Sequence, residues 1–325
     1  MGRMHLRCWR QLPGAQVVAL CDRDASQFTD ASVRGNVAGA DAPLDLSGAE
    51  IFTDFDRMLA EAKLDAISLV LPTALHVDFA AKALAAGVHV LCEKPMALNV
   101  AECDRLLAAA QASRARLMVA HCVRFWPEYE KARELVAGGS CGRVLAATFR
   151  RFGSAPGWNK DNWFADERRS GGMALDLHIH DTDFIQYLFG VPKAVTSAGG
   201  FAADGRLAYL ATHYDVGGPA VTAEGSWSLP PSFGFEMSFT IVFERGALIF
   251  DPKRTPAFVL CPPEGPAVVP KLSTGDGYQR EIAHFLQMIE GAEVPEIITP
   301  EQSRDSVRIV EAEKESVRSG KRVEL

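Results

Sequence analysis

Between residues 3 and 122, segments with the hydrophobic pattern of a buried strand alternate with segments that have the apolar spacing of a helix. This alternation restricts the chain to few folds. Short, continuous apolar runs have the length of strands that are buried on both faces, and they are separated by segments with the apolar spacing of helices. Helices of this length provide the crossovers that parallel strands need. The pattern predicts an α/β fold with a doubly wound parallel sheet. The predicted strands are 16–21, 66–71, 88–92 and 117–120, and the predicted helices are 4–11, 54–62, 76–86 and 100–113.

The hydrophobic pattern of the sequence changes after residue 122. Strand-like runs now follow one another through short turns that contain Gly or Pro, which favours an open antiparallel or mixed sheet. These strands are expected at 144–150, 195–201, 209–214, 220–228, 236–243 and 246–250, before helices at 278–289 and 301–319. A chain of 325 residues is long for one core. We therefore expect a dinucleotide-binding domain over 1–122 and an α+β domain over 123–325.

Charge and composition exclude several classes of protein. The net charge of −7 opposes binding to nucleic acid, and the longest apolar run, 66–71, is far shorter than a membrane span of about 20 residues. The N-terminus has no signal-peptide pattern, so a cytoplasmic location is expected. The seven cysteines form no C-x-x-C pair, which favours free thiols over zinc or redox sites.

An acidic residue stands where a nucleotide-binding unit would place one. Gly2, Arg3 and Met4 have the pattern of the last part of a glycine-rich turn, and Asp22 follows the first predicted strand 20 residues after Gly2. Asp22 is also an ordinary turn residue. In a nucleotide-binding unit, Asp22 favours NAD through the ribose hydroxyls, whereas Arg23 suits the extra phosphate of NADP. NAD is the favoured interpretation.

Two further loops follow predicted strands, where open parallel sheets bind ligands. The first contains Leu71, Pro72 and Thr73 and runs into His76; the second is Glu93-Lys94-Pro95. We expect Lys94 to contact both cofactor and substrate. A solvated loop lysine is the alternative.

The stretch 171–184 concentrates acids and imidazoles. On an α-helix, Asp176 and His180 are four residues apart and share a face, which Asp183 continues. This pattern indicates a proton-handling site, although helix acids also complement the helix dipole. A metal site formed by Asp176, His178 and His180 is disfavoured, because His178 and His180 point apart on a helix.

Several motifs together resemble the glucose-fructose oxidoreductase, inositol dehydrogenase and rhizopine-catabolism (Gfo/Idh/MocA) family over nearly the whole chain. The motifs are T-x-x-H (73–76), A-L-x-A-G-x-H-V-x-x-E-K-P (83–95), R-F-x-P-x-Y (124–129), G-x-V (142–144), G-G-x-x-x-D-x-x-x-H-x-x-D (171–183) and S-x-x-x-G-x-x-V-x-L (316–325). The resemblance implies a Rossmann domain, a nicotinamide cofactor and an open sheet that mediates assembly into dimers or tetramers. It also implies that Lys94, Asp176 and His180 are catalytic.

The resemblance has one gap, because the family's first strand and most of its glycine-rich loop have no counterpart here. That strand is central in the doubly wound order, so its absence would leave two neighbours with unpaired backbone groups. A truncated sequence, a substitute segment and weak cofactor binding are the three explanations, and truncation is the favoured one.

The resemblance implies hydride transfer between the cofactor and an alcohol of a sugar or cyclitol, with His180 as acid or base, Lys94 on the substrate oxygen and Asp176 as an orienting group. An NAD-using glycosidase and a non-catalytic binding protein are the alternatives. The particular substrate is not predicted. The residues expected to line its site are Arg124, Trp158, Asn159, Trp163, His178 and His213.

Overall fold

A computed structural model describes residues 1–29, 44–157 and 163–325 of the chain. Trp158 and Asn159, two of the residues expected at the substrate site, lie outside the described residues. In the described part, no helix is both long and apolar enough to cross a membrane.

The first part of the chain alternates helices and strands as predicted. Side-chain caps begin two of the helices: Asp54 accepts a hydrogen bond from the main-chain N–H of Arg57 at 2.7 Å, and Asn99 accepts one from that of Glu102 at 2.9 Å. In chain order the elements are α1 (Gly2–Gln11), β1 (Ala19–Cys21), β2 (Glu50–Phe52), α2 (Phe55–Glu61), β3 (Ala66–Leu69), α3 (His76–Ala85), β4 (His89–Glu93), α4 (Val100–Gln111) and β5 (Leu117–Ala120).

All of these strands pair in parallel, which confirms the predicted doubly wound type. They form two sheets, β1–β2 and β3–β4–β5, and no strand within the described ranges joins them. Helix α1 contacts the edge of the second sheet instead. The indole N–H of Trp9 donates to the Ser68 hydroxyl on β3 at 2.7 Å, and the ring of His5 lies 3.1 Å from the same oxygen.

The second part of the chain forms a large mixed sheet, also as predicted. Its elements are α5 (Pro127–Gly138), β6 (Val144–Phe152), α6 (Glu167–Ser170), α7 (Ile179–Phe189), β7 (Ala194–Phe201), β8 (Leu207–Asp215), β9 (Ala220–Ser226), β10 (Glu236–Phe243), β11 (Gly246–Phe250), β12 (Phe258–Cys261), α8 (Gly277–Ile289), α9 (Pro300–Ser319) and β13 (Val323–Glu324). The eight strands are ordered β12-β11-β10-β6-β9-β8-β7-β13, and only the central pair β6–β9 is parallel.

Helices α7 and α9 pack together and cover one face of this sheet. Strand β8 shows the resulting alternation, because Thr212 and Tyr214 are buried whereas His213 between them is exposed. On the open face, Leu145 of β6 and Val242 of β10 remain exposed.

The last two long helices share cores with the first part of the chain. Ile282 and Phe285 of α8 pack with Cys8 and Met118. Residues of α9, among them Val310, belong to the core that contains the α3–β4–α4 unit. The domain boundary at residue 122 stays a prediction, and the hydrophobic cores cross it.

Candidate active site

Lys94 lies at the carboxyl edge of the β3–β4–β5 sheet, directly after β4. The preceding Glu93 is buried, with one carboxylate oxygen 2.9 Å from the His5 ring on α1 and the other accepting the main-chain N–H of Lys94 at 3.1 Å. Burial opposes ionisation of Glu93, but the His5 contact and the charge of Lys94 hold its pKa below the ordinary value. Glu93 is therefore an ionised anchor beneath Lys94.

The ammonium of Lys94 reaches across to the second part of the chain. Its Nζ donates to the main-chain carbonyl of Asp176 at 2.7 Å and to the Asp176 carboxylate at 3.1 Å. Both side chains are partly accessible, 13% for Lys94 and 16% for Asp176. The structure thus brings together two of the three residues expected to be catalytic.

Asp176 does not lie on a regular α-helix. Residues Ala174–His178 form a π-helical turn that leads into α7, so Asp176 and His180 lie on either side of a π-to-α junction instead of on one regular α-helix. Asp183, expected to continue that face, is fully buried and holds Arg124 through two hydrogen bonds of 2.8 Å.

His180, in the first turn of α7, is half-buried. Burial, followed by the positive charge of Lys94, lowers its pKa well below 6.5. At neutral pH, His180 is unprotonated and has a free lone pair for a proton.

The structure places a second imidazole, that of His121, beside Lys94, and the sequence patterns did not predict it. His121 directly follows β5, and because Glu93 pairs with Ala120 in the parallel register, Lys94 and His121 occupy neighbouring positions. Its Nδ1 lies 3.5 Å from the carboxylate of Asp183, and burial lowers its pKa to about 4. Strand register would have revealed this residue, because positions after adjacent parallel strands share one edge.

Three of the residues expected to bind the cofactor, Gly2, Arg3 and Met4, lie at the start of α1. This helix has neither a side-chain cap nor an acid in its first turn, and a side chain at Gly2 would meet no atom within 4 Å. Arg3 lies in the same turn, and its guanidinium donates to the carbonyl of Gln27 at 2.9 Å. Met4 follows it, half-buried. An uncapped helix start with open space and a cation fits a pyrophosphate.

Asp22 and Arg23 follow β1, at the carboxyl edge where a ribose would bind. Asp22 is half-buried, and its carboxylate accepts the main-chain N–H of Asp24 at 2.9 Å. Arg23 is exposed. These positions fit the adenosine half of a dinucleotide.

His76 connects the two remaining cofactor loops. One ring nitrogen lies 2.8 Å from the carbonyl of Leu71 and the other 2.8 Å from that of Pro95, while the ring itself is fully buried. Pro72 precedes the buried Thr73 in the first loop, and the Lys94–Pro95 peptide bond is cis in the second. His76 therefore holds the loops together from behind rather than facing a ligand.

The structure places the residues expected at the substrate site in different surroundings. Arg124 is buried against Asp183, His178 is buried against Tyr214, and His213 lies on the open face of the large sheet. Trp163 is half-buried and stacks on Phe164 with ring centroids 3.9 Å apart.

No cluster of three or more His, Cys, Asp or Glu side chains with metal-binding geometry exists in residues 1–29, 44–157 and 163–325. A parallel α/β unit with ligand loops at its carboxyl edge, joined to a mixed-sheet part whose π-helical turn and α7 contribute an acid and an imidazole, defines the class of dinucleotide-dependent oxidoreductases.

Comparison with known proteins specifies the class further. Residues 1–121 match an oxidoreductase family described by its NAD-binding Rossmann fold, and residues 129–249 match the GFO/IDH/MocA C-terminal domain. The chain belongs to the Gfo/Idh/MocA family of oxidoreductases. Its nucleotide-binding part is a NAD(P)-binding Rossmann domain.

Named relatives cover most of the chain. It is 28% identical to D-xylose 1-dehydrogenase (NADP(+)) 2 of Haloferax volcanii over 84% of each protein. It is 26% identical to inositol 2-dehydrogenase of Rhizobium meliloti, over 87% of this chain and 79% of that protein. The structure of an aldose-aldose oxidoreductase from Caulobacter crescentus, complexed with glycerol, superposes with a TM-score of 0.81 at 20% identity, covering 99% of this chain and 96% of that one. The last similarity establishes the fold alone.

Proposed function

We propose that this protein transfers a hydride between a nicotinamide cofactor and a secondary alcohol of a sugar, sugar derivative or cyclitol. The observation that carries the proposal is the contact of the Lys94 ammonium with Asp176, beside an imidazole whose pKa that ammonium lowers. Relatives named as xylose and inositol dehydrogenases support the substrate class.

Each of the three side chains has a role that its surroundings support. The bound nicotinamide supplies the hydride acceptor or donor. Lys94 donates a hydrogen bond to the reacting oxygen and stabilises negative charge that develops there. His180, unprotonated at neutral pH, takes the hydroxyl proton during oxidation and returns it in reduction. Asp176 keeps the ammonium of Lys94 in place.

The test measures NAD(P)-coupled turnover of a panel of sugars and cyclitols. Lys94→Ala and His180→Ala variants are expected to lose about 100-fold or more in kcat, the usual contribution of such groups. Lys82→Ala is the matched control, because Lys82 is exposed and pairs with Asp56 on the surface. Folded variants that turn over as fast as the parent would refute the proposal.

We favour NAD as the cofactor, since the carboxylate of Asp22 suits a free ribose diol and repels a 2′-phosphate. Fluorescence titration with NADH and NADPH tests this choice, and tighter binding of NADPH would contradict it. The same titration separates an enzyme from a non-catalytic family member. Stoichiometric production of NADH during turnover would exclude the glycosidase alternative.

The substrate site is proposed to include the aromatic cleft beside the π-helical turn. Phe164 packs edge-to-face on Trp227 at 6.2 Å, and the cleft that they line also contains Met173, Glu167 and Arg206. Aromatic faces next to charged groups suit polyhydroxylated rings.

A further inference from the structure

A chain of buried polar groups lies behind the π-helical turn. The Nε2 of His178 is 3.1 Å from the hydroxyl of Tyr214, which donates to the Glu313 carboxyl at 2.6 Å. Thr182 donates to the same carboxyl oxygen at 3.1 Å. All four side chains are fully buried. Burying polar groups costs free energy unless they form hydrogen bonds. These hydrogen bonds therefore favour one arrangement of the elements that carry the four side chains.

The network joins four elements around one imidazole. His178 ends the π-helical turn, Tyr214 lies on β8, Glu313 lies on α9, and Thr182 lies on α7. On its other side, His178 packs directly against Gly225 of β9, where a Cβ atom would come within 2.7 Å of Nδ1. Only glycine leaves room for the ring, which is therefore held between the sheet and two helices.

The same turn carries the two groups that hold Lys94. Asp176, two residues before His178, offers its main-chain carbonyl at 2.7 Å and its carboxylate at 3.1 Å to the ammonium. The carbonyl cannot move independently of the turn, because it is part of the backbone. A change in the turn geometry therefore moves the acceptor on which Lys94 depends.

We propose that His178, fixed by Tyr214 and Glu313, is a positioning residue that sets the π-helical turn and thereby the place of the Lys94 ammonium. This assignment rests on the role proposed for Lys94. His178 then acts from the interior, without contact with substrate, in place of the substrate-binding role expected from the sequence.

The direct test measures how fast an amine-directed acylating reagent modifies Lys94 in the full-length protein, with mass spectrometry of the peptide that contains it. Tyr214→Phe removes the hydroxyl that joins His178 to Glu313 and keeps the ring. The turn should then shift and weaken the hydrogen bonds between Lys94 and Asp176. Labelling of Lys94 is expected to accelerate about tenfold, which corresponds to the loss of one charge-assisted hydrogen bond. The measurement needs no turnover, so it stands whether or not the proposed reaction is found.

Two substitutions of His178 separate positioning from general packing. His178→Gln keeps a polar nitrogen near the position of Nε2, so Lys94 should be labelled at the same rate as in the parent. His178→Asn is too short to reach Tyr214, so Lys94 should be labelled as fast as in Tyr214→Phe. Thr212→Val is the matched control, since it removes another buried hydroxyl from β8, one that bonds Ser197 at 2.8 Å. Unchanged labelling in folded Tyr214→Phe, or equal acceleration in Thr212→Val, would overturn the proposal.

In an active preparation, a kinetic cycle gives the second readout. His178→Asn is expected to lower kcat about 100-fold, because a small displacement of a catalytic group has effects of that size. The binding constant for NADH should stay unchanged. In a Lys94→Ala background the same substitution should have no further effect on kcat, whereas additive losses would contradict action through Lys94. A parent without turnover would refute the proposed function and leave the labelling test to decide this one.

Discussion

The protonation state of His180 determines how the rate of alcohol oxidation should depend on pH. Its pKa is lowered well below 6.5 by burial and by Lys94, so the imidazole remains a competent base in mildly acidic solution. The acid limb of kcat/KM is therefore expected below pH 6.5, the ordinary value. A pH profile of initial rates measures it, and an apparent acidic pKa at or above the ordinary value would contradict the assignment.

Glu313 gives a second pH effect, on stability. Burial raises the pKa of its carboxyl to about 8 from 4.5, so the folded state holds a proton that the unfolded state has lost between these values. Stability falls as pH rises through this range. Glu313→Gln keeps an acceptor for Tyr214 and Thr182 and cannot ionise. Its melting temperature should exceed that of the parent by more at about pH 8 than at about pH 5; parallel melting curves across pH would contradict this expectation.

The sequence identified single residues best where the chemistry is local. Lys94 was predicted from its place after a buried strand, and it does lie at the sheet edge. His121 and Glu313 were not, because the position of His121 depends on strand register and that of Glu313 depends on how the distant helix α9 packs. Their burial is set by tertiary packing, which a local pattern does not report.

Among elements, two buried ion pairs fix α7 to the rest of the fold. Asp181 of α7 receives two hydrogen bonds from Arg151 of β6, at 2.9 and 3.0 Å, and Asp183 pairs with Arg124. These pairs hold α7, the helix that carries His180, against the rest of the fold.

Asp181→Ala should be strongly destabilising, because it leaves the guanidinium of Arg151 buried without its carboxylate. The expected loss in free energy of unfolding is about 3 to 5 kcal/mol by denaturant titration. Asp78→Ala, which breaks the exposed pair with Arg105, is the control and should cost far less than Asp181→Ala. Similar losses in the two variants would show that the buried pair is not fixing α7.

Element prediction succeeded where hydrophobic periods are regular. Helices α3, α4 and α9 and strand β10 begin and end within two residues of their predicted bounds. The short β2 was not predicted, since three residues carry too little pattern. The π-helical turn was missed as well, because Ala174–His178 contains no residue that excludes an α-helix. His178, the last residue of this turn, contacts three other elements, and such contacts are not visible in a local sequence pattern.

At the scale of the whole molecule, the open face of the large sheet is proposed to join copies of this chain. Leu145 is 47% exposed and Val242 37% exposed on the neighbouring strands β6 and β10. Apolar side chains on an open sheet face favour a self-complementary interface. We expect a dimer or tetramer in sedimentation experiments.

The double variant Leu145→Glu and Val242→Glu should shift that equilibrium to the monomer, because like charges meet across a two-fold interface. Val269→Glu is the control, since Val269 is 63% exposed and lies outside the strands. A parent that sediments as a monomer, or a double variant that assembles normally, would contradict the proposed interface.

The packing of α8 and α9 onto the first part of the chain affects the order of events during synthesis. Cys8 and Met118 are buried by Ile282 and Phe285 of α8. These two residues are translated more than 150 residues after Met118. A nascent chain of about 120 residues thus exposes apolar surface that nothing yet translated can cover. We expect the nucleotide-binding part to reach its folded state only after release, and a gene fragment that encodes it alone to yield aggregated protein.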